Sequence, residues 1–380
     1  MKIAFYAPLK TPDHPIPSGD RVVARLLMAA LEKAGYEVEL ASRVISYQKR
    51  PSAEIGAERR QAVEAEAKRL IEAWQGGVER RPDLWFTYHP YCKAPDWIGP
   101  KVAATFGIPY VTAEACRTRQ ATDEDWLIPR QAVQAAVSQA AVNFCLKPSD
   151  RDYLRSFLPD MNSVVPFPPF VDLEAIDATK EKVVSAERFA DPAPLIVTVG
   201  MMRPNAKFNS YRLLAAALAE LPDVPWNLAI VGDGPMRDEI EALFGTLPVG
   251  RVHFSGALEP DDVLRWMRTG DLFAWPGYGE AFGMVYLEAQ ACGLPVAALN
   301  TAGVPVVVEE NVTGLLTAES ATAYAAALRI LLTDPLARRE LGAAGRRKVE
   351  RDHDIASAAR LLASHLDPLL YPRRDQGHFT

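Results

Sequence analysis

Two pairs of charged side chains in the C-terminal half have the types and spacing to hold a phosphorylated, hydroxyl-rich ligand. Arg203 and Lys207 stand four residues apart in Met201-Met-Arg-Pro-Asn-Ala-Lys207, just past the β-branched run Leu195–Gly200. Arg offers a planar fork of donors and Lys a compact point charge, so the two can grip a diphosphate from two sides. Glu280 and Glu288 stand eight apart in Pro276-Gly-Tyr-Gly-Glu280-Ala-Phe-Gly-Met-Val-Tyr-Leu-Glu288. Helix rise throughout would separate them by roughly 12 Å, against the ~5–5.5 Å between the carboxylates of a retaining glycosidase. Such a pair suits two hydroxyl-rich parts of one long ligand. A carboxylate beside a phosphate is repelled, so each acid is assigned to sugar hydroxyls.

The elements that must position these residues are legible around them. Asp271–Trp275 is apolar and of buried-strand length, a Pro/Gly break follows, and Phe282–Cys292 reads as a helix stopped by Gly293 and Pro295. The turn presents the backbone N–H groups of Phe282, Gly283 and Met284 at a helix N-terminus, a ready anion site. Gly277, Gly279 and Gly283 lack Cβ and would let a ligand approach the main chain.

Similar units recur along the chain. Ile3–Ala7, Tyr36–Leu40, Leu84–Tyr88, Ile108–Thr112 and Val142–Lys147 read as strands of the first half. Leu195–Gly200, Trp226–Val231, Arg251–Phe254, Asp271–Trp275, Leu294–Leu299 and Thr313–Leu316 read as those of the second. Residues 52–76 predict a polar helix with a thin stripe of Ala62, Ala65, Leu70 and Ile71, and 320–368 is helical. The proline-rich stretch Ser163–Phe170 marks a crossing, and 173–193 a weakly patterned linker. Two rounds of alternating strands and helices give an α/β chain of two doubly wound, Rossmann-like parallel-sheet domains, 1–170 and 171–354. Open sheets of this kind bind ligands beyond their strand ends. That draws attention to the strand ends at His89 and at Glu114, Ala115 and Arg117, with Glu114 and His89 the candidates for acceptor binding or proton uptake. Gly19, after the first strand, offers its N–H near the sheet's open end, and Ser18 alternatively caps the following helix.

Bulk properties narrow the classes. The 380 residues carry a net charge of −6 with 49% hydrophobic residues, which excludes nucleic acid as the main partner and gives a globular protein of two domains. Residues 1–170 are net +2 and the remainder −8, so the first half is the likelier to face an anionic surface. Arg59, Arg60, Lys68 and Arg69 could touch lipid headgroups, although interspersed Glu makes a solvated face the simpler reading. Cys92, Cys116, Cys145 and Cys292 lack metal or disulfide spacing and read as cytoplasmic thiols. No apolar run is long enough to span a membrane, and Met1–Ala7 reads as a strand rather than a signal peptide. Gly232-Asp-Gly234 imitates a dinucleotide fingerprint but has Arg237 in the third glycine's place. Asp123-Glu-Asp125, Asp150-Arg-Asp152 and Asp352-His-Asp354 imitate metal clamps but are assigned to structure, so no catalytic metal and no cofactor is expected.

Glu280-x7-Glu288 followed by Ala-Gln-Ala-Cys-Gly-Leu-Pro295 resembles the donor-site signature of retaining glycosyltransferases of family four, which have the GT-B fold. The likeness is specific over 195–318 and loose over 1–170. It implies two domains facing across a cleft, with a C-terminal helix of about 355–380 packing back on the acceptor-side first domain. It implies transfer of a sugar from a UDP-, GDP-, ADP- or dTDP-sugar to a hydroxyl of a glycan, lipid-linked or small-molecule acceptor, in the cytoplasm or weakly at the membrane's inner face. The alternatives are a GT-B nucleotide-sugar epimerase and a non-catalytic nucleotide-sugar-binding subunit. The resemblance assigns Glu280 to the transferred sugar, Glu288 to the ribose, Arg203, Lys207 and Gly19 to the diphosphate, and the backbone at Gly256 and Leu258 to the nucleobase. The chain departs from the family in having Val111-Thr-Ala-Glu114 where many relatives place a His, and Ser18-Gly19 where most have two glycines.

Overall fold

A computed structural model describes residues 1–16, 18–50, 53–116, 126–179, 188–281 and 283–371. The chain divides into two compact units, Met1–Pro168 with the chain from Ile355 onward, and Pro169–Asp354.

The first unit is built on β1 Lys2–Tyr6, β2 Glu37–Leu40, β3 Leu84–Tyr88, β4 Tyr110–Ala113, β5 Val142–Cys145 and β6 Val164–Pro166, in the order β2-β1-β3-β4-β5-β6. Every pairing is parallel. β1, β3, β4 and β5 are buried along their whole lengths, as apolar runs covered on both faces must be. Phe5, Phe86 and Phe144 stack in sequence across three strands, with centroids 5.8 and 6.2 Å apart. β6 lies inside the stretch read as a crossing. It is three residues long and ends in Pro166, which an edge strand tolerates because its missing N–H faces no neighbour.

The helix Ala53–Gln75 corrects another expectation. Its buried stripe is Val63, Ala67, Leu70 and Trp74, while Ala62 and Ala65 are exposed. Trp74 packs edge-on against Trp85 and Phe106 at 6.4 and 5.9 Å, and these large rings set the rotation of the helix. Its basic residues have local partners: Arg60 lies over the Trp97 ring, Lys68 pairs with Glu72, and Arg69 is bidentate on Glu66. The helix Ile355–Leu370 joins this unit, where Tyr36 Oη donates to Asp367 Oδ1 at 2.7 Å and His365 meets Phe144 edge-on. The expected end of that helix, 372–380, lies outside the described residues.

The second unit holds β7 Leu195–Val199, β8 Asn227–Val231, β9 Val252–Gly256, β10 Leu272–Ala274, β11 Val296–Leu299 and β12 Gly314–Thr317, in the order β12-β11-β10-β7-β8-β9. The order reverses between β7 and β10, the switch point where such sheets bind ligands. In the first sheet the reversal falls between β1 and β3. The supposed linker contains a helix, Leu173–Ala178, whose N-cap Asp172 accepts from Ala175 N–H at 3.1 Å. Six residues are too few to show periodicity. Asp177 on this helix takes two N–H groups of Arg346, at 2.8 and 2.7 Å, and Arg346 also donates to Ala291 O. That bidentate grip ties Leu173–Ala178 to the end of the helix Met284–Ala291.

Candidate functional site

The loops after β7 and β10 converge on one ion pair. β7 ends at Val199, a loop carries Arg203, and the helix Ala206–Ala219 begins one residue before Lys207. β10 leads through Trp275 into the glycine turn that carries Glu280. Lys207 Nζ donates to Glu280 Oε1. Trp275 Nε1 donates to the same oxygen at 3.2 Å, and Lys207 Nζ also lies 5.4 Å from the Trp275 ring centroid. An ammonium has three N–H groups, so this contact leaves donors over. Both contacts to Glu280 go to Oε1, which leaves Oε2 to accept from a hydroxyl-bearing ligand.

Trp275 escaped the sequence reading because a Trp inside an apolar strand looks like core. It is fully buried, packed edge-on against Tyr211 at 4.9 Å, yet its ring nitrogen faces the acid. Arg203 is exposed, and among the described residues its side chain has no hydrogen bond or ion pair with Lys207 or Glu280. The structure therefore brings Lys207 and Glu280 together and leaves Arg203 at the loop surface.

Gly232 and Gly234 explain how that loop is held. Gly234 sits at φ 155°, and a Cβ there would collide with Met202 O. Met202 N–H donates to Asp233 O and Met236 N–H to Met202 O, so the two glycines let the loop bearing Arg203 lie against the β8 end. The false fingerprint is thus scaffolding.

The turn after β10 also differs from expectation. The helix runs Met284–Ala291, starting after Gly283, which sits in the left-handed region at φ 65° and acts as its N-cap. Phe282 lies outside the described residues. A Cβ on Gly283 would stand 2.5 Å from Tyr286 Cε2, and one on Gly277 would collide with Tyr286 Oη. Tyr286 thus occupies the space a Cβ would take at both glycines, and its hydroxyl donates to Trp275 O at 3.0 Å. Met284 opens the helix with its N–H among the orphan donors of the first turn.

Glu288 lies one turn further along, half-buried, and burial pushes its carboxyl up to about 7. Among the described residues it has no ion pair. An ionised Glu288 accepts two hydroxyls, whereas its neutral form must give up one acceptor position. Affinity for a diol-bearing ligand should therefore rise with pH through about 7. We expect Kd for a nucleotide-diphosphate sugar, whose phosphates do not titrate in this range, to fall about tenfold from pH 6 to 8, since each pH unit below the pKa costs up to tenfold in the ionised fraction. Calorimetry on Glu288→Gln should show a flat profile.

At the end of β9, Gly256 sits at φ 72° and its carbonyl accepts from Gly232 N–H at 2.8 Å. Leu258 is half-buried two residues on. Ser255 Oγ is buried there with no hydrogen-bond partner among the described residues, a polar group the sequence did not mark.

In the first unit, Gly19 opens the helix Gly19–Lys33, and Ser18 is its N-cap, accepting from Arg21 N–H at 3.3 Å. His89 and Glu114, considered separately from sequence, prove to be parts of one cluster. Both have left-handed backbones, at φ 58° and 57°, which turn their side chains back over the strand ends. Glu114 is buried, accepting from Tyr88 Oη at 3.0 Å and Lys147 Nζ at 2.8 Å. Lys147 also stands 3.2 Å from buried Asp150. Burial raises the Glu114 carboxyl, but the charges of His89 and Lys147 outweigh it and hold it below its usual range. Asp150 goes the other way, pushed up to about 6 by burial. Arg117 and Asp123-Glu-Asp125 lie outside the described residues. Of the other acidic decoys, Asp150 opens the helix Pro148–Arg155, Asp352 pairs with Arg351 and Lys348, and Asp354 accepts from Leu173 N–H. Among the described residues no group of three His, Cys, Asp or Glu could hold a metal ion, and no helix is long and apolar enough to cross a membrane.

Comparison with known proteins adds to this geometry. The glycosyl transferases group 1 family matches residues 179–348, a span containing Arg203, Lys207, Glu280 and Glu288. Sulfoquinovosyl transferase SQD2 of Arabidopsis thaliana is 32% identical over 162 residues, 42% of this chain and 30% of that protein. A D-inositol 3-phosphate glycosyltransferase of Mycobacterium sp. (strain JLS) is 36% identical over 156 residues, 39% of this chain and 34% of its own length. The chain thus spans about a third of the length of these relatives. The structure of Anabaena Alr3699/HepE in complex with UDP matches with a TM-score of 0.72 at 16% identity, over 97% of this chain and 100% of that one. Residues 179–348 thus resemble the glycosyl transferases group 1 family, and with two six-stranded parallel sheets the chain has the GT-B fold.

Proposed function

We propose that the protein is a retaining glycosyltransferase that moves a sugar from a nucleotide-diphosphate sugar to a hydroxyl of a glycan, lipid-linked or small-molecule acceptor. The observation that carries this reading is the Lys207–Glu280–Trp275 arrangement at the sheet's switch point. In this reading Lys207 is the cation for the departing diphosphate, and Arg203, on its exposed loop, is a second. The helix N-terminus at Met284 adds neutral donors. Glu280 accepts sugar hydroxyls through Oε2, Glu288 takes the ribose, and Ser255 Oγ with the backbone at Gly256 and Leu258 takes the base. The sugar–phosphate C–O bond breaks as the acceptor oxygen bonds to the anomeric carbon on the same face. The acceptor proton passes to the leaving diphosphate, so no side-chain base is required. The first unit receives the acceptor.

Incubation with UDP-, GDP-, ADP- and dTDP-sugars and an acceptor panel, followed by NMR of the product, tests this. One donor should give a glycoside with the donor's anomeric configuration. Inversion of that configuration would rule out the retaining mechanism. An epimerase would convert the donor with no acceptor present, and a binding subunit would leave it unchanged.

A further inference from the structure

We propose that Cys116 is an electrophile-reactive thiol, activated by His89 and Asp20 in a nucleophile–base–orienter line. Its Sγ lies 3.4 Å from His89 Nε2, and His89 Nδ1 lies 3.1 Å from Asp20 Oδ1. Nucleophile, base and orienting acid are thus joined by two hydrogen bonds, the arrangement that makes a thiol an effective nucleophile. None of the three is placed by a neighbour in sequence. Asp20 lies in the first turn of the helix Gly19–Lys33, His89 follows β3, and Cys116 follows β4.

The segments carrying His89 and Cys116 are held by contacts to neighbouring strand ends. His89 N–H donates to Ala113 O at 2.8 Å, and its ring stacks on Tyr91 at 4.9 Å. Glu114, two residues before Cys116, is fixed by Tyr88 and Lys147. Burial works against the Asp20 carboxylate, yet the hydrogen bond from His89 holds it below its usual range. It therefore accepts from Nδ1–H, which leaves Nε2 to share one proton with Sγ. Cys92 and Cys145 are buried, whereas Cys116 is half-buried.

With a haloacetamide the step balances simply. The S–C bond forms as the carbon–halogen bond breaks, halide leaves with the bonding pair, and the thiol proton remains on Nε2. The imidazolium is stabilised because burial, which disfavours its charge, is outweighed by Glu114, Cys116 and Asp20. Among the described residues, the titratable and charged groups around the pair are Asp20 with Lys10 behind it, Tyr88, Tyr91 with Tyr47 and Cys92 beyond it, Glu114, Lys147 and Asp150.

The test is site-resolved alkylation by iodoacetamide, followed by peptide mass spectrometry from pH 5.5 to 9. At pH 6.5 Cys116 in the native protein should react about tenfold faster than free N-acetylcysteine, because His89 supplies the base that solution lacks. His89→Asn, chosen because Asn accepts a left-handed backbone, and Asp20→Asn should each slow it about tenfold, with the labelling rate of half-buried Cys292 unchanged. Reaction of native Cys116 no faster than N-acetylcysteine would overturn the proposal without reference to any variant, as would rates unmoved by both substitutions. The readout is labelling, so the result stands apart from any sugar transfer.

Discussion

Lys207→Ala should lower kcat for sugar transfer by about 10²–10³-fold, the usual cost of removing one preorganised group from developing negative charge. The ammonium is fixed before any ligand arrives by Glu280 and the face of Trp275, so little reorganisation is needed as the diphosphate leaves. The substitution also strips Glu280 of its cation, loosening the acid that orients the sugar. Donor KM should change far less than kcat, because the charge that Lys207 meets is largest in the transition state. Lys207→Arg should restore only part of the rate, since a planar fork does not replace a point charge seated over an indole. Steady-state release of nucleoside diphosphate measures both variants. An unaltered kcat in Lys207→Ala would remove the ion pair from the mechanism.

Lys147→Met should destabilise the protein by about 3–5 kcal/mol at pH 7, the cost of breaking a buried ion pair from one side. Lys147 is the shared partner of Glu114 and Asp150, both buried, and without it two carboxylates would face each other across the ends of β4 and β5. The pH dependence has a definite sign. Losing the cation raises both acids in the folded state, so the folded protein binds protons that the unfolded chain does not, and stability increases as pH falls. Asp150 already stands at about 6 with the lysine present. Urea denaturation should therefore show the variant's deficit shrinking from pH 7 to pH 5. A deficit that stays constant over that interval would mean the charges are not its source.

Where one residue type has one plausible environment, the sequence was a good guide. The runs at Ile3, Leu84, Leu195 and Asn227 are continuous and apolar, and only buried parallel strands use such segments. Glu280 and Lys207 could each be marked because each lies in a loop just past an apolar strand, whereas their contact across 73 residues had no local signal. What failed depended on neighbours remote in sequence. Ala62 and Ala65 matched the helical period, but Trp74 had the larger surface to bury and turned the helix its own way. At Gly277 and Gly283 nothing in the sequence signalled that Tyr286 takes the space a Cβ would fill. The convergence of Asp20, His89 and Cys116 had no local signal, because three segments far apart in the chain meet there only after the sheet is assembled.

The central claim is that Lys207, Arg203, Glu280 and Glu288 together hold a nucleotide-diphosphate sugar. Titration calorimetry with UDP-, GDP-, ADP- and dTDP-sugars, on the unaltered protein and on Arg203→Ala/Lys207→Ala, tests it most directly. One donor should bind the unaltered protein and lose at least about a hundredfold in affinity to the double variant, two charge-assisted contacts at ~1.5–3 kcal/mol each. Equal binding by both proteins, or no binding of any donor by the unaltered one, would contradict it.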